Sequence, residues 1–499
     1  MGLLQRTIVS NVAAVLAATL VCAQWNFTVD PIFQTQIIQQ NVGSLLLNED
    51  GTLIVSGIMR FSGEFSDKRL ARLLPNGQRD ETFNNSGLGG GIKAWQADRF
   101  YVAGSYNPRR IWSSSGNNDA TFAVGIGIVP YFLPLQGGDY HVYPDGSVLI
   151  SGNHNLSDTA RGFVGRHQLI WLTSTGCLDT TRIHRSGGSC AVYRFKELPN
   201  GQFICNGLCD QFDGQPIDRI FRVNADGSVD TTFRTGVYTG SAYDYLPMED
   251  GRVYVAGNFR RTQAPEDTLR LVRFLPNGDL DLAFSIAQFT AGEGLSTPFG
   301  ATVHGITSWR NGTLIITGQF KRVNGQVRKG ICLIDTTGQL LPAFAGQGVG
   351  PYTYQGITNA GLLRPVFNAD STQMYVCGAY NGYNDGTTNA TGQRFVTRLN
   401  VQEISTAVPL VLEEDAPGLL LQPNPASTFV AMNYNLPGNT GTAQLRIRDT
   451  SGRVIHTQQI SGEQGQQVWD TRGTAPGVYS VELLRNGRVE RSERLVIQP

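Results

Sequence analysis

One pattern, repeated seven times, limits what this chain can fold into. An apolar stretch leads to an Asp-Gly or Asn-Gly turn, and a β-branched run then ends on glycine. A second apolar run reaches another glycine turn, and Asp-x-x-Phe closes the unit. In the first copy Ser44-Leu45-Leu46-Leu47 precedes Asp50-Gly51, and Leu53-Ile54-Val55-Ser56-Gly57 follows. Leu70 to Leu74, Asn76-Gly77 and Asp80-Glu81-Thr82-Phe83 complete it. The glycine ending the second run recurs at Gly57, Gly104, Gly152, Gly207, Gly257, Gly318 and Gly378, roughly fifty to sixty residues apart. The second turn recurs at Gly77, Gly116, Gly176, Gly227, Gly278 and Gly338. The closing phenylalanine stands at Phe83, Phe122, Phe233, Phe284 and Phe344, with Arg182 in its place in the third unit.

Asn-Gly and Asp-Gly between apolar runs favour hairpins, because these residues reach φ > 0 cheaply and the turn twist matches the strands. Each unit therefore reads as a four-stranded meander. A single such sheet would leave both faces wet, so the units must stack around an axis. The expectation is an all-β chain: a seven-bladed β-propeller over 24–400, a linker over 401–420, and a small immunoglobulin-like β-sandwich over 421–499. The seventh unit has Leu363 to Phe367, Met374 to Gly378 and Arg394 to Leu399, but no Asp-x-x-Phe. That motif stands instead at Asp30-Pro31-Ile32-Phe33. Residues 24–35 are thus expected to add the outer strand to the last blade and close the ring, since an open sheet edge is a hazard.

Composition agrees with many short strands. Glycine is abundant at 59 of 499 residues, without a collagen period, and 40% apolar content suffices for a core. Forty basic and forty acidic residues cancel, and no dense Lys/Arg stripe is evident, which disfavours a nucleic-acid partner. Arg6 followed by the apolar run Ile8 to Cys22 reads as a secretory signal peptide over 1–23. Val21 and Ala23 suit cleavage between Ala23 and Gln24. Cys22 supplies a lipoprotein alternative, but Val21 fits a lipobox poorly. No later stretch is apolar enough for a membrane helix, so the mature chain is expected to be secreted, extracellular or on the outer cell surface.

The segments Asn224 to Phe233, Leu275 to Asp281, Gly318-Gln319-Phe320 and Val323-Asn324-Gly325 resemble delta-60 repeats of bacterial surface proteins. The resemblance covers roughly residues 41 to 400 and implies a propeller but little chemistry. Beyond Glu413 to Gly418 come Pro423-Asn424-Pro425, the alternating strand Leu445 to Asp449, the turn Ser451-Gly452, Gly477-Val478-Tyr479 and the apolar strand Arg494 to Ile497. Pro-Asn-Pro, Asp449 with Gly452, and Pro-Gly-Val-Tyr, in that order, resemble the type A sorting domain of type IX secretion in Bacteroidetes surface proteins. This implies two partners, the outer-membrane translocon and a sortase-like protease that removes the domain. The end at Gln498-Pro499 departs from the family's basic terminus.

Chemistry is harder to find. His141, His154, His167 and His184 fall in the third unit, but their spacing is wider than zinc pairs show, so scatter accounts for them better. The Asp226-Gly227 element recurs at turns and lacks the ligands of a calcium loop. No cofactor, metal or catalytic residue is expected. All cysteines but Cys22 lie beyond the leader. Pairing about Asn200-Gly201 sets Cys190 near Cys209, with Lys196 facing Cys205, so Cys190–Cys209 is the expected disulfide. Cys332 and Cys377 read as buried thiols. Tyr238, Tyr243, Tyr245, Tyr352, Tyr354, Tyr380 and Tyr383 cluster in loops as candidate contacts for a glycan or protein ligand. The first reading is a non-enzymatic binding or adhesion module, and the alternative is a secreted hydrolase or lyase acting on glycans through the propeller funnel.

Overall fold

A computed structural model describes residues 24–404 and 417–498, apart from 85, 86, 88, 105, 106, 124–131, 189, 293, 297–299, 388 and 439–441. The expected leader, with Ala23, lies outside the described residues. The chain divides into two compact units that meet between Ile404 and Ser405.

The N-terminal unit is built of antiparallel meanders. The first sheet runs Ile37–Leu47, Leu53–Phe61, Lys68–Leu73, and the second Gly91–Gln96, Arg99–Ala103, Arg109–Trp112. The third is Phe132–Val142, Val148–Asp158, Phe163–Leu172, and the fourth Val192–Glu197, Phe203–Gly207, Ile220–Val223. Thr239–Pro247, Val253–Arg260, Leu269–Phe274 form the fifth, and Thr302–Ser308, Leu314–Gln319, Ile331–Ile334 the sixth. The seventh joins Gly361–Leu362 and Val366–Phe367 to Gln373–Asn384, then Asn389–Ile404, and finally Gln24–Val29. That leading strand pairs antiparallel from Gln24 opposite Ile404 to Val29 opposite Leu399.

The expected fourth strand is reduced to isolated bridges in the first six sheets: Leu73–Arg79, Ile111–Asn118, Leu172–Leu178 with Leu169–Arg185, Val223–Val229, Phe274–Leu280 and Ile334–Leu340. After it, the Asp-x-x-Phe segment turns away to reach the next sheet, which removes it from the ladder. Among the described residues the seventh sheet alone carries a full strand there.

Alternation along each middle strand sends neighbouring side chains to opposite neighbours. Ile54 packs with Phe100 and Val102 of the second sheet. Leu53 and Val55, on either side of it, pack with Tyr375 and Cys377 of the seventh. Apolar clusters join the second sheet to the third, the third to the fourth, the fourth to the fifth, the fifth to the sixth and the sixth to the seventh. Each buried aliphatic or aromatic side chain contributes roughly 2 kcal/mol.

A polar latch repeats between neighbours. Arg72, Arg110, Arg222, Arg273 and Arg398 each donate Nε to the aspartate of an Asp-x-x-Phe motif, Asp80, Asp119, Asp230, Asp281 and Asp30, at 2.6–2.9 Å. The same guanidinium lies over that motif's phenylalanine, 4.5–5.3 Å from the ring centre. It also donates to a carbonyl at the following sheet's turn: Ser113, Ser174, Pro276, Thr336 and, from Arg398, Pro75 of the first sheet. Gly77 and Gly278 occupy those turns with positive φ, and a Cβ on either would come within 2.7 Å of backbone from the preceding unit. This explains why that turn glycine recurs.

The C-terminal unit has a three-stranded sheet, Gly418–Gln422, Phe429–Asn435, Gln464–Asp470, and a four-stranded one, Val454–Ile460, Ala443–Asp449, Gly477–Arg485, Arg488–Ile497. Val430, Met432 and Tyr434 of one sheet share a core with Leu445, Ile447, Val481 and Leu483 of the other. Both edges of the expected 401–420 linker are strand, since pairing runs on to Ile404 and resumes at Gly418.

Candidate ligand site on the propeller axis

In four of the sheets the first strand carries a bulge that re-aims its side chains. Register shifts fall at Val42/Ser44, Val192/Arg194, Ala242/Asp244 and Val303/Gly305. In each case the residue before the shift lies opposite the glycine that ends the second strand. A Cβ on Gly257 would sit 2.2 Å from Ser241 O, and one on Gly318 2.2 Å from Thr302 O, so only glycine allows the two strands to approach there. The bulges place Tyr193, Tyr243 and His304 at one level and Arg194 and Asp244 at the next.

Five sheets contribute charge to the axis. Lys93 Nζ lies 3.2 Å from Asp139 Oδ1. Arg364 Nε lies 3.3 Å from Asp244 Oδ2, and its guanidinium also donates to Ile306 O. Asp244 accepts the backbone N–H groups of Tyr245 and Ile306 at 2.9 Å. Asp139 Oδ1 accepts Tyr140 N at 2.8 Å. Burial raises the Asp244 carboxyl, with Arg364 and the two N–H donors opposing it. Lys196 is held below the usual lysine value, by burial first and then by the like charges of Arg364 and Lys93. It nonetheless stays exposed to water. Arg194 and Arg364 are exposed too. His141 lies 3.4 Å from Glu197, and burial lowers it to about 4, so this contact joins a neutral imidazole to a carboxylate at neutral pH.

The tyrosines expected to contact a ligand divide by burial. Tyr245, Tyr380 and Tyr383 are at most 2% exposed and belong to the packing between sheets, which removes them from any contact role. Tyr238 is 56% exposed. Tyr243 is half-buried, with its ring edge-on to His304 at 5.4 Å. Tyr352 and Tyr354 lie parallel on one hairpin, 6.4 Å apart. Sequence reasoning missed Lys93, Asp139, Arg194, Lys196, Asp244 and Arg364. Their common signal is position: each lies in the first apolar run of a unit, where a charge is out of pattern.

Cys190 and Cys209 are joined by a disulfide. Phe195, not Lys196, faces Cys205, because the bulge shifts the register by one residue. Cys332 and Cys377 are buried thiols, both pushed up to about 12 by desolvation. The histidines are less scattered than their spacing suggests: His154 pairs across from His167, whose ring lies 6.4 Å from that of His184. One ring nitrogen of each is engaged, with Ser151 O, Gly165 O and Trp171 N respectively. Among the described residues no group of three His, Cys, Asp or Glu side chains could hold a metal. At Asp226 the carboxylate accepts the Ser228 N–H and hydroxyl, which is turn chemistry.

In the C-terminal unit Pro423, Asn424 and Pro425 are exposed. Asn424 clamps the last strand, donating to Arg494 O at 2.6 Å and accepting Val496 N at 2.9 Å. Asp449 caps its turn by accepting from Ser451 and Arg453, with Gly452 at φ 83°. Gly477 and Val478 open the strand that carries Tyr479, whose hydroxyl donates to Ala475 O.

Comparison with known proteins fits these two units. The family model described as a secretion system C-terminal sorting domain matches residues 421–498. The one described as a beta-propeller domain of unknown function matches 49–83, 209–233 and 249–284. The chain is a β-propeller protein with a type IX secretion sorting tail, and its destination is the cell surface or the extracellular space. No curated protein matches it. Among solved structures it is similar to PorZ, an essential surface component of the type IX secretion system of Porphyromonas gingivalis, at 13% identity and TM-score 0.33. That match covers 90% of this chain and 58% of PorZ, so the chain spans little more than half of that protein's length. It is also similar to a gluconolactonase of Xanthomonas campestris, at 12% identity and TM-score 0.33, covering 76% of this chain and 96% of that one. A calcium-binding regucalcin of Agrobacterium tumefaciens matches at 11% identity and TM-score 0.32, covering 75% and 92%.

Proposed function

We propose that the chain is a seven-bladed propeller with an immunoglobulin-like sandwich tail, delivered outside the cell as a non-enzymatic binding or adhesion module whose ligand face surrounds the axis. The tail engages the type IX translocon and a sortase-like protease. The commitment of Asp139 and Asp244 carries the non-enzymatic reading. A glycan hydrolase needs one free carboxylic acid and one free base or nucleophile, whereas both axial carboxylates are held by a cation and by backbone N–H donors.

One observation favours a lyase or hydrolase instead. Lys196 is depressed while Asp244 is raised, and pKa values displaced in this way suit proton transfer. A glycan and protein array probed with the full chain, beside a panel of hydrolase and lyase substrates, separates the two. Saturable retention without turnover is expected. Turnover that Lys196→Gln abolishes would install the enzymatic reading.

A further inference from the structure

Charge on the axis does not balance. Among the described residues Lys93, Arg194, Lys196 and Arg364 face it, against Asp139 and Asp244. Lys93 and Arg364 take the two carboxylates, and among the described residues no carboxylate bonds Arg194 or Lys196. These two cations stand two residues apart on one strand, so both side chains leave the same face of the fourth sheet. Lys196 feels the like charges of Arg364 and Lys93 ahead of the opposite charges of Asp244 and Asp139. Cations left without a carboxylate of their own repel one another, and an anionic ligand would relieve that repulsion. Arg194 is near enough to Tyr243 and His304 for its charge to be felt at both. Tyr193 and Tyr243 stay half-exposed, and the Tyr193 hydroxyl accepts from Gln136 Nε2 of the third sheet at 3.0 Å.

Resting on the binding reading above, we propose that the axis is an anion subsite for a uronate-bearing oligosaccharide. Arg194 and Lys196 take the sugar carboxylate, and Tyr193 and Tyr243 pack against the ring. A guanidinium pairs with a carboxylate through two parallel hydrogen bonds, and an aromatic face suits the C–H face of a sugar. Simple anions would use the charges alone and leave the tyrosines idle, whereas a uronate uses both.

Calorimetry on the full chain tests this with trigalacturonate, its methyl ester and hexaglutamate as probes. Trigalacturonate should bind, the neutral ester should bind at least about tenfold more weakly, and raising salt from about 0.05 M to about 0.5 M should weaken the acid alone. Arg194→Gln and Lys196→Gln should each cost about tenfold in affinity with the melting temperature unchanged, and Arg194→Lys should recover part of the loss. Equal binding of the ester, preference for hexaglutamate, or no binding of trigalacturonate overturns the subsite, while neutral glycans retained on the array leave the binding module standing. Cleavage of bound trigalacturonate keeps the subsite and overturns the non-enzymatic reading.

Discussion

At the residue scale, the latch shows how one interaction can be rewritten without losing its place. Five units use Arg, Asp and Phe together. In the third, Trp171 stands where the arginine would be and Arg182 where the phenylalanine would be, so cation and ring exchange positions and still meet at 5.7 Å. In the sixth, Leu333 and Leu341 replace the ion pair, and Leu341 N still donates to Leu333 O. Phe344 is kept there and stacks on Phe27 at 4.3 Å. The sequence showed Asp-x-x-Phe plainly, and even that Arg182 filled the wrong slot. It hid the arginine, which sits in an apolar run some eight residues earlier and looks like an ordinary exposed position. These substitutions make a prediction for the fourth unit, where Arg222 and Asp230 are both 10% exposed. Removing either charge alone strands its partner and should cost about 3 kcal/mol. The double variant Arg222→Leu with Asp230→Leu should cost less than either single change, as urea denaturation of the three proteins would show.

At the element scale, strand pattern was legible and strand register was not. Apolar runs and glycine turns located the three long strands of each sheet, and the recurring Gly207, Gly257 and Gly318 were visible, but not that close backbone approach at each sets a bulge in the facing strand. Hence the facing of Lys196 and Cys205 was off by one, and the charged residues that the bulges aim inward went unnoticed. The fourth strand was overcounted for a related reason, since a segment that crosses to the next sheet carries the same turn chemistry as one that stays. Two consequences are measurable. The Cys190–Cys209 bridge closes a loop of 19 residues, which corresponds to about 3 kcal/mol. Cys190→Ser with Cys209→Ser should lower the melting temperature by several degrees and should make Val192–Gly207 the first segment to lose protection from proteases. Phe27→Ala removes a fully buried ring from the leading strand and should cost about 4 kcal/mol. The same change at Phe65, which is 99% exposed, should leave denaturation unaltered.

At the scale of the whole molecule, stability should respond to acid in two stages. Burial lowers His141, His154 and His184 from 6.5 to about 4. The unfolded chain therefore takes up protons below about pH 6.5 that the folded one refuses until about pH 4, and stability falls across that window. Asp119 then follows. Burial would raise it, but bonds from Thr121 and Arg99 and the charge of Arg110 prevail and hold it at about 2, against 3.8 unfolded. Its contribution is complete above about pH 4 and lost as pH drops toward 2. Asp80, Asp230 and Asp281 are lowered too, burial being outweighed by hydrogen bonds and by their arginines, and they act in the same direction. Melting temperatures between pH 8 and 2 should be flat above about 7 and then fall in two steps; a single fall confined below pH 4 would contradict the buried neutral histidines.

Closure of the ring by its first strand is what brings the inner strands, and so the axial charges, to one place. Arg398 spans that seam, bonded to Asp30 on one side and to Pro75 O on the other, while Phe27 is buried against Trp309 and Phe344 of the sixth unit. Amide hydrogen exchange of residues 24–29 tests it directly. Their protection should equal that of the paired residues Leu399–Ile404 and be lost with them in one step as denaturant rises. Exchange of 24–29 at the rate of free peptide, with the other sheets still protected, would contradict it.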